Sequence, residues 1–108
     1  MAKQNQPKYY QRMKHLVPAY TDALDRLGMA VRKAGPLDER TIQLNQLAAA
    51  AGIRSEGAVH SHTRRALEAG ATAADVRHAL LCLTSTIGFP GAVAALTWAS
   101  DELEGDEA

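Results

Sequence analysis

Apolar residues in this chain recur every three or four positions in several successive segments, which is the spacing of helices packed on a shared core. No segment shows the sustained alternation of apolar and polar residues that is typical of a strand. The pattern therefore predicts an all-α fold whose short links make neighbouring helices antiparallel.

The first apolar stripe predicts one long helix with a break near its start. Proline is tolerated best in a first helical turn, so the main helix is expected to begin near Pro18, with residues 8–17 as a shorter helix or turn. Gly35 and Pro36 should end it. The stripe has coiled-coil spacing and consists of Met13, Val17, Tyr20, Leu24, Leu27, Val31 and Ala34.

Capping residues delimit the next two helices. Asp38 is a good N-cap for the second helix, and Gly52 should stop it. Ser55 is a good N-cap for the third, which is predicted to run to Gly70.

Two further helices follow. Thr72 with Asp75 three residues later resembles a capping box and should open a fourth helix that continues through Ile87. Pro90, within a Gly-Phe-Pro-Gly turn, should open a fifth helix that runs to about Leu103.

The last two helices are apolar on two sides. Leu81 and Cys82 lie outside the core stripe of the fourth helix, and Trp98 points away from that of the fifth. In so short a chain the second partner is expected to be another subunit, with Leu81 and Trp98 as contacts. Cys82 is the only cysteine, which excludes an internal disulfide, and we expect it to be a buried, inert thiol.

The balance of acidic and basic residues excludes some classes of function. Twelve basic and twelve acidic residues give a formal net charge of zero, which argues against binding to nucleic acid or an anionic membrane. No apolar run has the length of a membrane span, and no signal peptide is recognisable, so a cytoplasmic protein is expected. The domain should occupy residues 15–104, between a flexible N-terminal arm at 1–14 and an acidic tail at 105–108.

The start of the third helix concentrates the candidate chemistry. Glu56 is expected close to the buried stripe, His60 and His62 flank that stripe, and Glu56 can meet His60 one turn away. Histidines two residues apart on a helix point about 200° apart, so they cannot bind one metal ion together, and neither a metal nor a cofactor is expected. These side chains are either structural groups at the edge of the core or an acid/base pair with shifted pKa values.

A series of short motifs resembles one known family over about residues 15–104. The motifs are Leu-Asp-Glu-Arg-Thr at 37–41, an alanine-rich helix, His62 eight residues before Gly70, Gly-Ala-Thr-Ala-Ala-Asp-Val at 70–76, and Gly-Phe-Pro at 88–90. In order and spacing they resemble the carboxymuconolactone decarboxylase family, which shares its fold with alkylhydroperoxidase D. The resemblance implies a helical bundle of about five to six helices and a ring-like homo-oligomer, commonly a trimer or hexamer.

The peroxidase branch of this family has Cys-x-x-Cys at the helix start, a histidine after it and a carboxylate on the preceding helix. In this chain the cysteine positions correspond to Ser55 and Ala58, and the carboxylate position to Gln43; His62 alone remains. A serine hydroxyl cannot form the disulfide of that cycle, so dithiol peroxidase activity is not expected.

The decarboxylase branch matches better. Its acidic residue and histidine correspond to Glu56 and His62, whereas Ala58 and Thr86 replace a glutamate and a tyrosine. The resemblance implies cofactor-free decarboxylation or lactone chemistry on a small organic acid. We expect His62 and Glu56 to be catalytic, in a pocket that includes His60, Ser55, Arg40 and Thr86. The alternatives are a non-catalytic oligomer that binds a ligand or partner, and residual peroxidase activity through Cys82.

Overall fold

The computed structural model describes residues 8–103, which form helices and no strand. The helices are α1 (Lys8–Leu16), α2 (Pro18–Lys33), α3 (Glu39–Gly52), α4 (Glu56–Glu68), α5 (Ala73–Leu81), α6 (Thr84–Ile87) and α7 (Phe89–Ser100). The predicted all-α fold is confirmed. The acidic tail predicted at 105–108 lies outside the described residues.

The chain divides into two compact units, Met1–Asp38 and Glu39–Ala108. The described part of the first is a pair of helices, α1 and α2, broken at Pro18 as predicted. The Tyr10 hydroxyl donates a hydrogen bond to Oδ1 of Asp25 at 2.5 Å and so joins the two helices. The arm predicted at 1–14 therefore includes most of α1 at residues 8–14, and its first seven residues lie outside the described range.

The apolar stripe of α2 is not covered by α1. Tyr20, Leu27 and Val31 are each more than half exposed, whereas Thr21 is the buried residue of this helix. The helix follows the predicted spacing, but among residues 8–38 no helix covers this apolar face of α2.

The second unit packs α3, α4, α5 and α7 around one core. The largest fully buried apolar side chains are Leu47, Val59, Val76, Leu80 and Leu103. Alanines fill much of the remaining core, at positions 50, 51, 66, 95 and 99. Small side chains let helix axes approach closely, and α3 and α4 form the most extensive contact of the unit.

The end of α4 explains why Gly70 follows it. The N–H groups of Gly70 and Ala71 donate to the carbonyls of Leu67 and Ala66, at 3.1 and 2.9 Å, which is the Schellman arrangement. Gly70 has φ of 103°, a conformation that glycine adopts without strain. The stop predicted at Gly70 is thus confirmed, with the last helical residue at Glu68.

The fourth predicted helix is not continuous to Ile87. It divides after Leu81 into α5 and the single turn α6. The Thr84 hydroxyl donates to the carbonyl of Leu81 at 2.8 Å, and such local side-chain bonds compete with the backbone ladder. Cys82 lies at this break and is exposed, so the prediction of a buried thiol was wrong.

The apolar stripe predicted for the last helix, Val93, Leu96, Ala99 and Leu103, matches the buried face only in part: Ala99 and Leu103 are buried and Leu96 is partly buried. Ala92, Ala95 and Ala99 are buried, whereas Val93 is 41% exposed. Trp98 is partly buried and packs against the core instead of pointing away from it. Because α7 is apolar on nearly every side, its sequence does not determine which side faces inward.

No helix within residues 8–103 is long and apolar enough to cross a lipid bilayer.

The capping box that opens α5 should contribute measurably to stability. Oγ1 of Thr72 accepts from the Asp75 N–H at 3.0 Å, and Oδ2 of Asp75 accepts from the Thr72 N–H at 2.9 Å. The bond from the Thr72 backbone holds the pKa of Asp75 below its usual value. Thr72→Ala should lower the free energy of unfolding by about 1 kcal/mol in urea denaturation. Thr97→Ala, at an exposed threonine within α7, is the control and should change stability by only a few tenths of a kcal/mol.

Candidate functional site

A hydrogen-bonded series of three polar side chains in the second unit joins α3 to α4. Nδ1 of His62 lies 2.9 Å from Oε1 of Gln43, and Nε2 of Gln43 donates to Oε2 of Glu39 at 2.8 Å. Gln43 is 2% exposed, whereas His62 is half-buried and Glu39 is exposed. The three side chains therefore form one hydrogen-bonded line from the surface to an imidazole within the helix pair.

The sequence explains why Gln43 faces inward. It precedes Leu47 by four residues and Ala50 by seven, so all three lie on the same face of α3. A buried amide needs partners for both its ends, and Glu39 and His62 supply them. The Gln43–His62 contact, far along both helices from their link, also shows that α3 and α4 run antiparallel.

The surroundings of His62 favour its neutral form. Burial is the main cause that lowers the pKa of His62 below 6.5, and the positive charge of Arg65 one turn away lowers it further. Near pH 7 the imidazole is accordingly uncharged and can accept a proton.

His60 has a different environment on the same helix. Its Nδ1 lies 2.7 Å from Oε2 of Glu102, which also accepts from Nη1 of Arg64 at 3.0 Å. Burial raises the pKa of Glu102, but hydrogen bonds from His60 and Arg64 outweigh it and keep that pKa below the usual value. His60 thus joins α4 to the residues that follow α7, in an ion-pair cluster.

The predicted catalytic pair is not brought together. Glu56 and His62 are six residues apart on α4, about 9 Å along the helix axis. Oε2 of Glu56 lies 3.4 Å from Nε2 of His60, which confirms the predicted contact between those two residues. The Glu56 side chain is 60% exposed, so it is not desolvated, although Val59 in the same turn of α4 is fully buried.

The other predicted pocket residues are spread over the unit. Ser55 occupies the N-cap position of α4 as predicted, but its side chain makes no capping hydrogen bond. Arg40 is exposed on α3, and its charge contributes to the lowered pKa of Asp75 at the start of α5. Thr86 is exposed on α6. Within residues 8–103 no hydrogen bond or ion pair joins any of these predicted residues to His62.

Glu39 and Gln43 are the residues that sequence reasoning left out of the site. The family resemblance placed the carboxylate of the preceding helix at Gln43, and the burial stripe of α3 includes that position. A glutamine on the buried face, opposite a histidine of the next helix, was the available signal. Within the described residues, no group of three or more acidic, histidine or cysteine side chains is arranged to hold a metal ion.

Comparison with known proteins assigns the chain to a family. Residues 18–101 match the family model of the Carboxymuconolactone decarboxylase family. The matched segment extends from the start of α2 to the end of α7 and includes Glu39, Gln43 and His62. No curated protein matches the chain.

The two causes that lower the pKa of His62 can be separated. Arg65→Gln removes the neighbouring positive charge and leaves the burial, so the pKa of His62 should rise but remain below 6.5. An NMR titration of the ring C–H signals measures it. Arg54→Gln removes the same charge from the α3–α4 link and is the control, for which an unchanged His62 pKa is expected. An unchanged value in Arg65→Gln would contradict the electrostatic contribution.

Proposed function

The chain belongs to the carboxymuconolactone decarboxylase family, and we propose that it carries out cofactor-free decarboxylation or lactone turnover on a small organic acid, with His62 as the proton carrier. The observation that supports this most is a half-buried imidazole with a lowered pKa, held by a buried glutamine. A histidine that is neutral near pH 7 and has one ring nitrogen hydrogen-bonded to the protein keeps its other nitrogen for proton transfer.

Decarboxylation of a carboxylate consumes one proton for each molecule of carbon dioxide released. When the bond between the carboxylate and its carbon breaks, the electron pair stays on that carbon and delocalises into a conjugated lactone carbonyl. Binding of an anionic substrate beside His62 raises the pKa of the imidazole, which takes up a proton from solvent. The imidazolium then donates this proton to the carbon that has lost carbon dioxide, and the neutral ring is restored.

Gln43 takes the orienting role that the sequence had assigned to Glu56. Gln43 contacts His62 directly, whereas Glu56 contacts His60 at the surface. The proposal does not depend on Ser55, Arg40 or Thr86 as substrate-binding groups.

A second function has a specific observation in its favour. The hydrogen-bond partner of His62 is a neutral amide, and no carboxylate is paired with this imidazole within residues 8–103. A member of the family that binds an organic anion without converting it would need no acid/base partner there. Binding of carboxymuconolactone measured by titration calorimetry, with no release of carbon dioxide, would support this second function.

Removal of His62 tests the catalytic proposal. With carboxymuconolactone as the first substrate, His62→Ala should reduce carbon dioxide release by about a hundred- to ten-thousand-fold, the usual contribution of a general acid–base group. His78→Ala, at an exposed histidine of α5, is the control and should retain the wild-type rate. Equal rates for His62→Ala and the wild type, with helical content preserved by circular dichroism, would exclude His62 as the proton carrier.

We also propose that the protein is a homo-oligomer, with a trimer or hexamer as the family resemblance implies. Exposed apolar side chains of the second unit support this: Leu81 and Val93 are 53% and 41% exposed, and Phe89 is 68% exposed. Trp98 packs against its own core, which leaves less of it for a partner.

Charges placed on these exposed residues should disrupt the assembly. Leu81→Glu combined with Val93→Glu should shift the sedimentation coefficient toward that of a monomer, because each charge would be buried without a partner. Ala49→Glu, at an exposed position of α3, should leave the assembly intact. A wild-type monomer at tens of micromolar would refute the proposal.

A further inference from the structure

Glu39 is the outer member of the line that ends at His62. Its Oε2 accepts from the amide nitrogen of Gln43 at 2.8 Å, and the amide oxygen of Gln43 lies 2.9 Å from Nδ1 of His62. Gln43 is 2% exposed, so solvent hardly competes for either end of the amide. The direction of these hydrogen bonds therefore decides which nitrogen of His62 carries the proton.

A carboxylate accepts hydrogen bonds and donates none. Glu39 consequently binds the NH₂ end of the Gln43 amide and leaves the carbonyl oxygen for His62. A carbonyl oxygen can only accept, so Nδ1 of His62 must be the donor. In a neutral imidazole the lone pair is then on Nε2.

The opposite orientation of the amide is unfavourable. If Gln43 were rotated by half a turn, its oxygen would face the Glu39 carboxylate, and two acceptors would meet in a nearly buried position. An amide in place of the carboxylate would remove this selection, because an amide can either donate or accept.

We propose that Glu39 is a positioning residue, which acts through Gln43 to hold neutral His62 as its Nδ1–H tautomer with the lone pair on Nε2. Its consequence for turnover rests on the proposed function of His62, whereas the tautomer itself is a property of the free protein. Glu39 touches neither the imidazole nor the reacting atoms and is not a catalytic residue.

The experiment is a two-bond ¹H–¹⁵N correlation spectrum of the full-length, ¹⁵N-labelled protein at a pH above 7, where His62 is neutral. It distinguishes a protonated from an unprotonated ring nitrogen without any substrate. The wild type should show His62 with the proton on Nδ1. Glu39→Gln should show a mixture of the two tautomers. Glu68→Gln removes a carboxylate from the exposed last position of α4 and is the matched control, which should retain the wild-type pattern.

A reciprocal exchange separates positioning from simple structural support. Glu39→Gln combined with Gln43→Glu places an acceptor-only group directly against Nδ1, so the Nδ1–H tautomer should return. The new negative charge should also raise the pKa of His62 above its wild-type value. A Glu39 that only stabilised the start of α3 would alter the melting temperature and leave the tautomer unchanged in every variant.

Two results would overturn the inference: a wild-type His62 with the proton on Nε2, or Glu39→Gln with the proton on Nδ1 alone. If the enzyme is active, turnover in Glu39→Gln should fall in proportion to the population of the Nδ1–H tautomer, about twofold for an equal mixture, with KM unchanged. A protein with the expected tautomers and no turnover would refute the proposed function and support the inference about Glu39.

Discussion

The buried side-chain amide of Gln43 needs hydrogen-bond partners for both its oxygen and its nitrogen, and this requirement constrains the contact between α3 and α4. Gln43 lies on the core face of α3, where an unpaired polar group would cost about 1–3 kcal/mol. Its partners are a surface carboxylate on its own helix and an imidazole on the next. The bond to Glu39 lies within α3, whereas the bond between Gln43 and His62 links α3 to α4 in their antiparallel register, with His62 at the edge of the core. Stability and the candidate chemistry therefore depend on one side chain.

The two histidines of α4 have different hydrogen-bond partners and different electrostatic surroundings. His60 lies in a cluster with Glu102 and Arg64, where ion pairs join α4 to the segment after α7. His62 faces a neutral amide and a nearby positive charge, and both burial and that charge favour its uncharged form. The contacts of His60 link α4 to the segment after α7, and the half-buried His62 with its lowered pKa is the better candidate for proton transfer.

The family relationship and the contacts of this chain together narrow the chemistry. The resemblance described above implies a dithiol branch and an acid/base branch of the family, and it aligns Ser55 and Ala58 with the dithiol positions. Its single cysteine lies exposed at the break between α5 and α6. The same resemblance aligns Gln43 with a carboxylate of the preceding helix, and in this structure Gln43 contacts His62 directly. The neutral amide of Gln43 cannot stabilise a positive charge on His62 as a carboxylate would, but it can still orient the imidazole ring. This favours chemistry in which the imidazole itself carries the proton.

The sequence alone determined the helices and most of their ends, because proline, glycine and capping residues act within a few positions of the chain. Pro18, Gly70 and the Thr72 capping box were all recognised in this way. Family membership was likewise visible in the order of short motifs. The break after Leu81 was missed, although it depends on a local hydroxyl, because a threonine in a helix can bond to its own backbone or not.

Only the tertiary structure decided which side chains meet. Glu56 and His62 share a helix but point to different surroundings, and Gln43 reaches His62 from nineteen positions away. The inward face of α7 was predicted only in part, because apolar residues surround that helix: Ala99 is buried as predicted, whereas Val93 is exposed and the neighbouring helices bury Ala92 and Ala95. Periodicity shows which face of a helix is buried. The hydrogen-bond partner of a polar side chain on that face depends on which other helix packs against it and in which register. For this reason the sequence could place the candidate site on the helix observed as α4, whereas only the packing of α3 against it showed that Gln43 contacts His62.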